Sequence, residues 1–509
     1  MLTSRNIKET KGRVLPLRKR VSNWKKVWLL FFASLALGLA FAPFPFRFFA
    51  FFSLVPFFWV LNHSRRWFFW GWLFGFFAAA FHLWWLLFLV VPVEPITRLL
   101  LNIGVILLFG YLGLYWGFLA LAVRRFGFWS APLILPVLEF LKTRGQIAFP
   151  WDFLGSAFAS WPVFIQPAAV GGIYLVSALV VLINLLIYGL LFNRRKKVYA
   201  LASLAVLVVI PVFGFIRMRA NRKWFDVAIV QPNVAPLEKG DLNSRQKIQA
   251  DLFRLTRDAA KYKPALVIFP ETATLVDITH STEMGPALQK LVDSLDIEIF
   301  TGSPIYDDEH YSWHNGAVLI QPGCPTIRTR YYKIRLVPFS EKIPYSDELP
   351  VIRKLIGTVD MGNWDRGWEI TIFNSRVGKI SGLICFEAIF PDLAREFVRR
   401  GSRLLVNVTN DGWFGRLPGA YQHADLAVMR TVENGVPMVR CANNGISFIV
   451  DPYGRVLKRT QLFEQTVITG TVPQPIEPTP YRRFGDWVVL SYPFGLLIGL
   501  LIRRIFSGV

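Results

Sequence analysis

Cysteine is scarce in this chain: three residues in 509, Cys324, Cys385 and Cys441. An odd number, widely spaced and without a CxxC, excludes a disulfide framework and a thiolate metal cluster. The six histidines are scattered and form no HExxH, so neither a metal nor any other cofactor is expected. Acidic residues are nearly missing from the first 216 positions, where only Glu9, Glu94, Glu139 and Asp152 occur, although the whole chain carries 34 against 57 basic residues and a net charge of +23. The positive excess therefore travels with the apolar half of the chain. Its basic runs lack the interleaved reading elements of nucleic-acid-binding proteins, which excludes that class of partner. Internal repeats and low-complexity segments are also missing.

What is present in excess is apolar. Hydrophobic residues make up 53% of the chain and phenylalanine alone numbers 45, a composition outside the range of soluble domains. Apolar runs occupy 27–42, 47–61, about 67–91, 97–123, 127–141, 163–192 and 198–216, and return at about 487–502. Several reach the roughly 20 residues that a membrane-spanning helix needs, which gives about eight spans. Basic clusters then mark alternate loops, at 1–26, 63–66, 124–125, 193–197 and 503–504, as cytoplasmic loops do. Lys142 and Arg144 are the exception. The expected organisation is a basic cytoplasmic tail (1–26), a seven-span membrane domain (27–217), an extracytoplasmic domain (218–485) and a last span with a short cytoplasmic end (486–509). The polar, basic beginning has no small-residue cleavage site after its apolar run and reads as a tail, not a cleaved signal.

The segment 218–485 follows a different pattern. Short β-rich runs ("FDVAIVQPNV", "PALVIFPET", "IEIFTGSPIY", "HNGAVLIQPG", "GKISGLICFE", "SRLLVNVTND", "GISFIVDPYG") alternate with helical patterns at 243–261, 284–295, 391–400 and 421–435. Such alternation predicts an α/β domain packed in layers.

Reactive side chains sit where these runs end. Glu271 closes "IFPE", Lys333 lies in "YYKIRLVPFSEKIP" with Glu341 eight residues on, and Cys385 closes "GLIC" with Glu387 two residues later. Each has a plain structural reading: a strand-end cysteine is usually a small buried hydrophobe, a glutamate after proline can face a helix start, and a lysine can be a solvated loop charge. Together they fit thioester-forming acyl transfer. A thiolate attacks a carbonyl, a carboxylate moves the protons, and a fixed ammonium stabilises the oxyanion. No histidine base is required.

The motifs FPE, YxK…VPFxE and Cys-x-Glu resemble those of the nitrilase superfamily, and "FPW" (149–151), "LVPFSEKIP", "TNDGWFG", "QH" (422–423) and "NNG" (443–445) resemble its membrane branch, the apolipoprotein N-acyltransferases. That resemblance implies a nitrilase-like αββα sandwich beside a multi-pass helical domain in a bacterial inner membrane. The catalytic domain would face the periplasm, with both termini cytoplasmic. It implies that Cys385 takes the sn-1 acyl chain of phosphatidylethanolamine as a thioester and passes it to the α-amino group of a diacylglyceryl-modified amino-terminal cysteine of an apolipoprotein. Glu271 would be the general base, and Lys333 and the Phe386 N–H the oxyanion donors. Glu341 would orient Lys333 or shuttle a proton, and Glu387 would have a supporting role. A membrane-anchored amidase or nitrilase using the same three residues on a C–N bond is the alternative. Two departures stand out: Phe386 replaces a common tyrosine, and the loop "QPNVAPLEKGDL" (231–242) has no tryptophan. Trp151, Asn410 and Trp413 are candidates for the substrate-binding rim, as is Asp411, with a structural turn the alternative for Asn410, Asp411 and Trp413. Asn443–Gly445 is read as a tight turn, Arg430 and Glu433 as a helical pair, Cys324 as a turn residue and Cys441 as a buried thiol near the site.

Overall fold

The computed structural model describes residues 21–507, other than 92, 221, 236–237, 239–243, 328, 347 and 349–363. Half of the tryptophan-free loop, Gly240 included, falls outside these, as does most of the basic tail. The first part is helical: α1 (Asn23–Gly38), α2 (Leu54–Asn62), α3 (Trp67–Leu83), α4 (Pro95–Phe126), α5 (Ala131–Leu141), α6 (Ala168–Phe192) and α7 (Lys196–Arg217). Four helical segments among the described residues are long and apolar enough to cross a membrane: Trp67–Phe88, Pro95–Phe126, Ala168–Phe192 and Lys196–Arg217. Of the other apolar runs, 27–42, 47–61 and 127–141 are helical but stop short of spanning length, and the last lies in the 21-residue helix Trp487–Ser507. The "PFPF" turn cuts off the first, because proline lacks the N–H that the next helical turn needs. The predicted count of about eight therefore resolves into eight helical runs, four of them long and apolar enough to cross among the described residues. α7 buries only Ile210 and Gly214, so nearly its whole apolar surface faces outward, as in a helix surrounded by hydrocarbon. Lys142 and Arg144, the exceptions to the charge pattern, are engaged by protein: Lys142 pairs with Asp152 at 2.6 Å and Arg144 with Asp392 at 3.2 Å.

Two six-stranded sheets follow. The first has the order β12-β1-β2-β3-β4-β5, built from β1 (Lys223–Gln231), β2 (Leu266–Ile268), β3 (Glu298–Asp307), β4 (Ser312–Ile320), β5 (Arg330–Tyr332) and β12 (Thr466–Pro473). The second has the order β11-β10-β9-β8-β7-β6, from β6 (Phe373–Ser375), β7 (Gly378–Ile384), β8 (Leu404–Thr409), β9 (Met438–Ala442), β10 (Phe448–Val450) and β11 (Val456–Arg459). In each, three central strands run parallel (β1, β2, β3 and β7, β8, β9) and the flanking pairs are antiparallel. Strand β9 ends at Ala442, directly before the Asn443–Gly445 turn. Strands β5 and β6, three residues each, are too short to show a period.

Alternation along β1 explains the layering. Ala228 and Val230 point outward to α8 (Arg245–Ala260) and α9 (Met284–Leu295), where Leu252, Leu255, Leu288 and Val292 complete one core. Val227 and Ile229 point inward to the second sheet and share a core that continues through α10 (Pro391–Arg399) and α11 (Pro418–Asn434) into the membrane helices. The last helix, α12 (Trp487–Ser507), returns to pack on α5 and α6. Helix α11 is buried on all sides except at Tyr421 and Asp425, since α6 covers the face that an ordinary sandwich leaves to water. Gly172, at φ +69°, breaks α6 there, and the freed N–H of Ile173 donates to Glu433 Oε1 at 2.9 Å. The expected Arg430–Glu433 pair forms at 3.0 Å, fully buried.

Candidate active site

Parallel strands deliver their ends to one rim. Glu271 lies three residues past β2, Lys333 one past β5 and Cys385 one past β7. The loop carrying Glu271 passes directly over β3 at Gly302, where a Cβ would come within 2.7 Å of the Glu271 Cα, so only glycine fits. Lys333 is fully buried. Its Nζ lies 2.8 Å from Glu341 Oε1 and 3.5 Å from Glu271 Oε1. Asn315, on β4, donates Nδ2 to both carboxylates, at 2.7 Å to Glu271 and 3.1 Å to Glu341, while its carbonyl accepts the Lys333 N–H. Glu341 Oε2 accepts the Val337 N–H at 2.8 Å, which fixes the second glutamate. The sequence reading did not single out Asn315; its place on an apolar strand, in "HNGAVLI", is the only local signal.

Burial and the two carboxylates oppose each other at Lys333. Desolvation favours the neutral amine, but Glu341 and Glu271 outweigh it and hold the pKa above the ordinary lysine value. Cys385 responds in the opposite sense. Burial, then the Glu271 charge, pushes the thiol up to about 12, with Lys333 and a hydrogen bond from Thr409 only partly offsetting them. The thiol is protonated at neutral pH, and its residue stays partly exposed. Such a group reacts when a base takes its proton during attack, not as a standing thiolate.

Cys385 occupies the left-handed region, φ +51°, at the sharp turn from β7 into a helical turn, Cys385–Ile389. For a non-glycine residue this costs on the order of 1 kcal/mol or more and must be held by its surroundings. Two buried groups hold the turn. Glu387 is one: its carboxylate accepts from Tyr331 Oη (2.7 Å) and from the N–H groups of Ile334 (2.7 Å), Arg335 (3.1 Å) and Ile384 (2.8 Å). It therefore ties the strand before the cysteine to the segment after Lys333. The other is His423, on α11, whose Nε2 lies 3.0 Å from the Cys385 carbonyl. Among the described residues, no group of three or more His, Cys, Asp and Glu side chains is placed to hold a metal.

The remaining candidates divide. Trp151 joins the site: its ring is 6.5 Å from Phe386 and 5.4 Å from His423, and its Nε1 donates to Gln422 at 2.9 Å. With Phe149, 6.2 Å from Phe386, it forms an apolar wall beside the nucleophile. Asn410 accepts from Asn443 Nδ2 at 3.0 Å, and Asn443 in turn braces Val234. Trp413 is 39% exposed, and its carbonyl accepts the Val90 N–H from the helical part. Cys324 is exposed in a turn. Cys441 is buried between the sheets and donates to the Val230 and Ile268 carbonyls, a packing role.

The comparisons agree with this geometry. Residues 226–481 match the carbon-nitrogen hydrolase family profile, and residues 33–186 match that of the apolipoprotein N-acyltransferase N-terminal domain. The chain is 34% identical over 436 residues to an apolipoprotein N-acyltransferase of Geobacter metallireducens, covering 82% of this chain and 83% of that one. It is 28% identical to that of Chlorobaculum tepidum, over 91% and 94%. Among solved structures it is similar to an amidase from Nesterenkonia sp., at 17% identity and TM-score 0.37, over 50% of this chain and 92% of that one. The profile match over 226–481 places the protein among the carbon-nitrogen hydrolases. With the match over 33–186 as well, the chain belongs to the apolipoprotein N-acyltransferase family.

Proposed function

We propose that the chain N-acylates lipoproteins by a two-step transfer through Cys385. In the first step Glu271 takes the Cys385 proton as the sulfur attacks an ester carbonyl of a phospholipid. Lys333 and the Phe386 N–H stabilise the oxyanion. The ester C–O bond breaks, the thioester forms, and the lysophospholipid leaves with the proton returned by Glu271. In the second step the α-amino group of a diacylglyceryl-modified cysteine attacks the thioester and loses its proton to Glu271. The amide forms and the thiol is restored. Phosphatidylethanolamine is the donor we favour.

The observation that carries this reading is the partly exposed thiol set on a left-handed turn beside the buried Glu271–Lys333–Glu341 cluster. The apolar wall of Phe149 and Trp151 on Phe386 supplies a surface for an acyl chain at that thiol. The helices before and after the sandwich support a division into a membrane domain (27–217), a periplasmic catalytic domain (218–485) and a last span. The proposal of about eight crossings of a bacterial inner membrane rests on the eight apolar runs, and that of cytoplasmic termini on the basic clusters that mark alternate loops. Intact-protein mass spectrometry after incubation with phosphatidylethanolamine tests the mechanism: wild type gains one acyl mass and Cys385→Ser gains none. A gain on both or on neither sinks it. Acyl mass lost to water as fast as to a lipopeptide amine would favour the hydrolase.

A further inference from the structure

Beneath the nucleophile lies a buried polar group with no part in the proton transfers above. His423 Nε2 faces the Cys385 carbonyl at 3.0 Å; a carbonyl only accepts, so this nitrogen carries the proton. The other ring nitrogen, Nδ1, lies 3.0 Å from Asp411 Oδ1 and 3.1 Å from Arg440 Nη2. Arg440 binds Asp411 Oδ2 at 2.7 Å, and Thr409 donates to Asp411 Oδ1 at 3.0 Å. All four residues are fully or almost fully buried. Burial works against the Asp411 carboxylate, but the Arg440 guanidinium holds it ionised well below the usual range; burial and Arg440 push the His423 pKa down, and its bare Nδ1 accepts from Arg440 Nη2. The imidazole is thereby fixed in one orientation.

The preceding residue on α11 faces the other way. Gln422 accepts from Trp85 Nε1 at 3.0 Å and Trp151 Nε1 at 2.9 Å, and its amide donates to the carbonyls of His82 (3.1 Å) and Ala42 (3.3 Å). Adjacent residues of one helix thus hold the nucleophile's backbone and the aromatic wall of the helical part.

We propose that His423 is a positioning residue for acyl transfer: its Nε2–H, held by the Asp411–Arg440 pair, fixes the left-handed turn at Cys385 and so sets both the thiol and the Phe386 N–H in register with the wall that Gln422 secures. The inference rests on the reading that Cys385 is acylated.

Two variants separate this role from simple packing. In His423→Gln the amide reaches the position of Nε2 and keeps a donor for Cys385. In His423→Asn it reaches only the position of Nδ1 and keeps the contact with Asp411 and Arg440. Both retain a polar side chain in a polar pocket. The full-length proteins, in detergent micelles with phosphatidylethanolamine as donor, are followed by the rate of acyl-enzyme formation at saturating lipid and by the lipid concentration giving half that rate. The expected result is an acylation rate at least tenfold higher for Gln than for Asn, with half-saturation unchanged within threefold for both. A Gln-to-Asn ratio of three or less, or a loss carried by half-saturation, overturns the proposal. Failure of wild type itself to gain acyl mass on Cys385 strikes the proposed function instead, so the two failures are distinguishable.

Discussion

The two sheets share one plan, with three parallel strands flanked by antiparallel pairs, yet they contribute opposite halves of the site. The first supplies the charges: Glu271, Lys333 and Glu341, bridged by Asn315. The second supplies the thiol on its left-handed turn, braced by Glu387 and His423. Their outer layers differ in the same sense. Helices α8 and α9 cover the first sheet with one apolar face each and turn the other to water, while α11 covers the second and is itself covered by the membrane helices. The lesson is a division of labour. The half facing water supplies the Glu271, Lys333 and Glu341 charges at the rim, and the half docked on the membrane helices supplies the thiol.

Breaking the thiol half completely should have the largest effect. Cys385→Ala should abolish the acyl-enzyme in mass spectra and lower transfer by at least about 10³-fold, since a covalent step has no substitute. A thermal melt close to wild type would show that the sandwich survives.

Removing the central cation from the charged half comes next. Lys333→Met leaves two carboxylates facing each other in a buried site. Acylation should fall by about 10²–10³-fold, the usual cost of a lost oxyanion donor, and the melting temperature should fall as well. A variant with unchanged single-turnover acylation would remove Lys333 from the mechanism.

Glu271→Gln sharpens the comparison because two readouts should move in opposite directions. Without its base, phospholipid acylation should drop by about 10²-fold. The Glu271 charge also raises the thiol pKa from the far side of the rim, so its loss lowers that pKa. Alkylation by iodoacetamide, followed at Cys385 by peptide mass spectrometry from pH 7 to 10, should then proceed faster and turn on at lower pH than in wild type. Slower alkylation would contradict the electrostatic coupling between the sheets.

Glu387→Gln tests the seam. Four donors converge on this carboxylate, and an amide presents N–H groups to some of them, an expected loss of about 1–3 kcal/mol seen as a lower melting temperature. Activity should fall about tenfold to a hundredfold, because the Lys333 segment is tied through this group.

The smallest effect is expected at Gly302→Ala. The added methyl meets the backbone of the Glu271 loop at 2.7 Å and pushes it by roughly half an ångström or more, for about a tenfold loss, since small misplacements of a reacting group lower rates steeply. A neutral result would mean that the loop gives way freely.

Much of this was legible along the chain. The apolar runs marked every long helix, and α9 fell on the residues that its amphipathic pattern predicted, because a helix covering one face of a sheet carries a clear 3.6-residue period. Helix α11 was found too, but its covered outer face was not, since a helix packed on both sides shows no polar stripe to measure against. Glu271, Lys333, Glu341 and Cys385 were legible as strand-end groups in recognisable motifs. Asn315, His423 and Arg440 were not read as parts of the site, and Asp411 was read only as a residue of the rim or of a turn. They are polar residues inside apolar or mixed segments, and only burial shows that their partners lie 26 to 44 positions away, as for Asn315, or 12 to 38, as for His423.

By itself the sequence determined the composition of the two halves, the period of the helices and strands, and which reactive groups stand at strand ends. Those are local properties, set by side-chain polarity and backbone preference. Only the tertiary structure decided that two similar sheets place an ammonium, three carboxylates and a thiol around one rim, that Glu387 binds four donors rather than serving as the base, and that the nucleophile's backbone rests on a histidine from the helix docked against the membrane part. Those depend on distances between segments far apart in the chain, and burial then sets how strongly the groups that meet there interact.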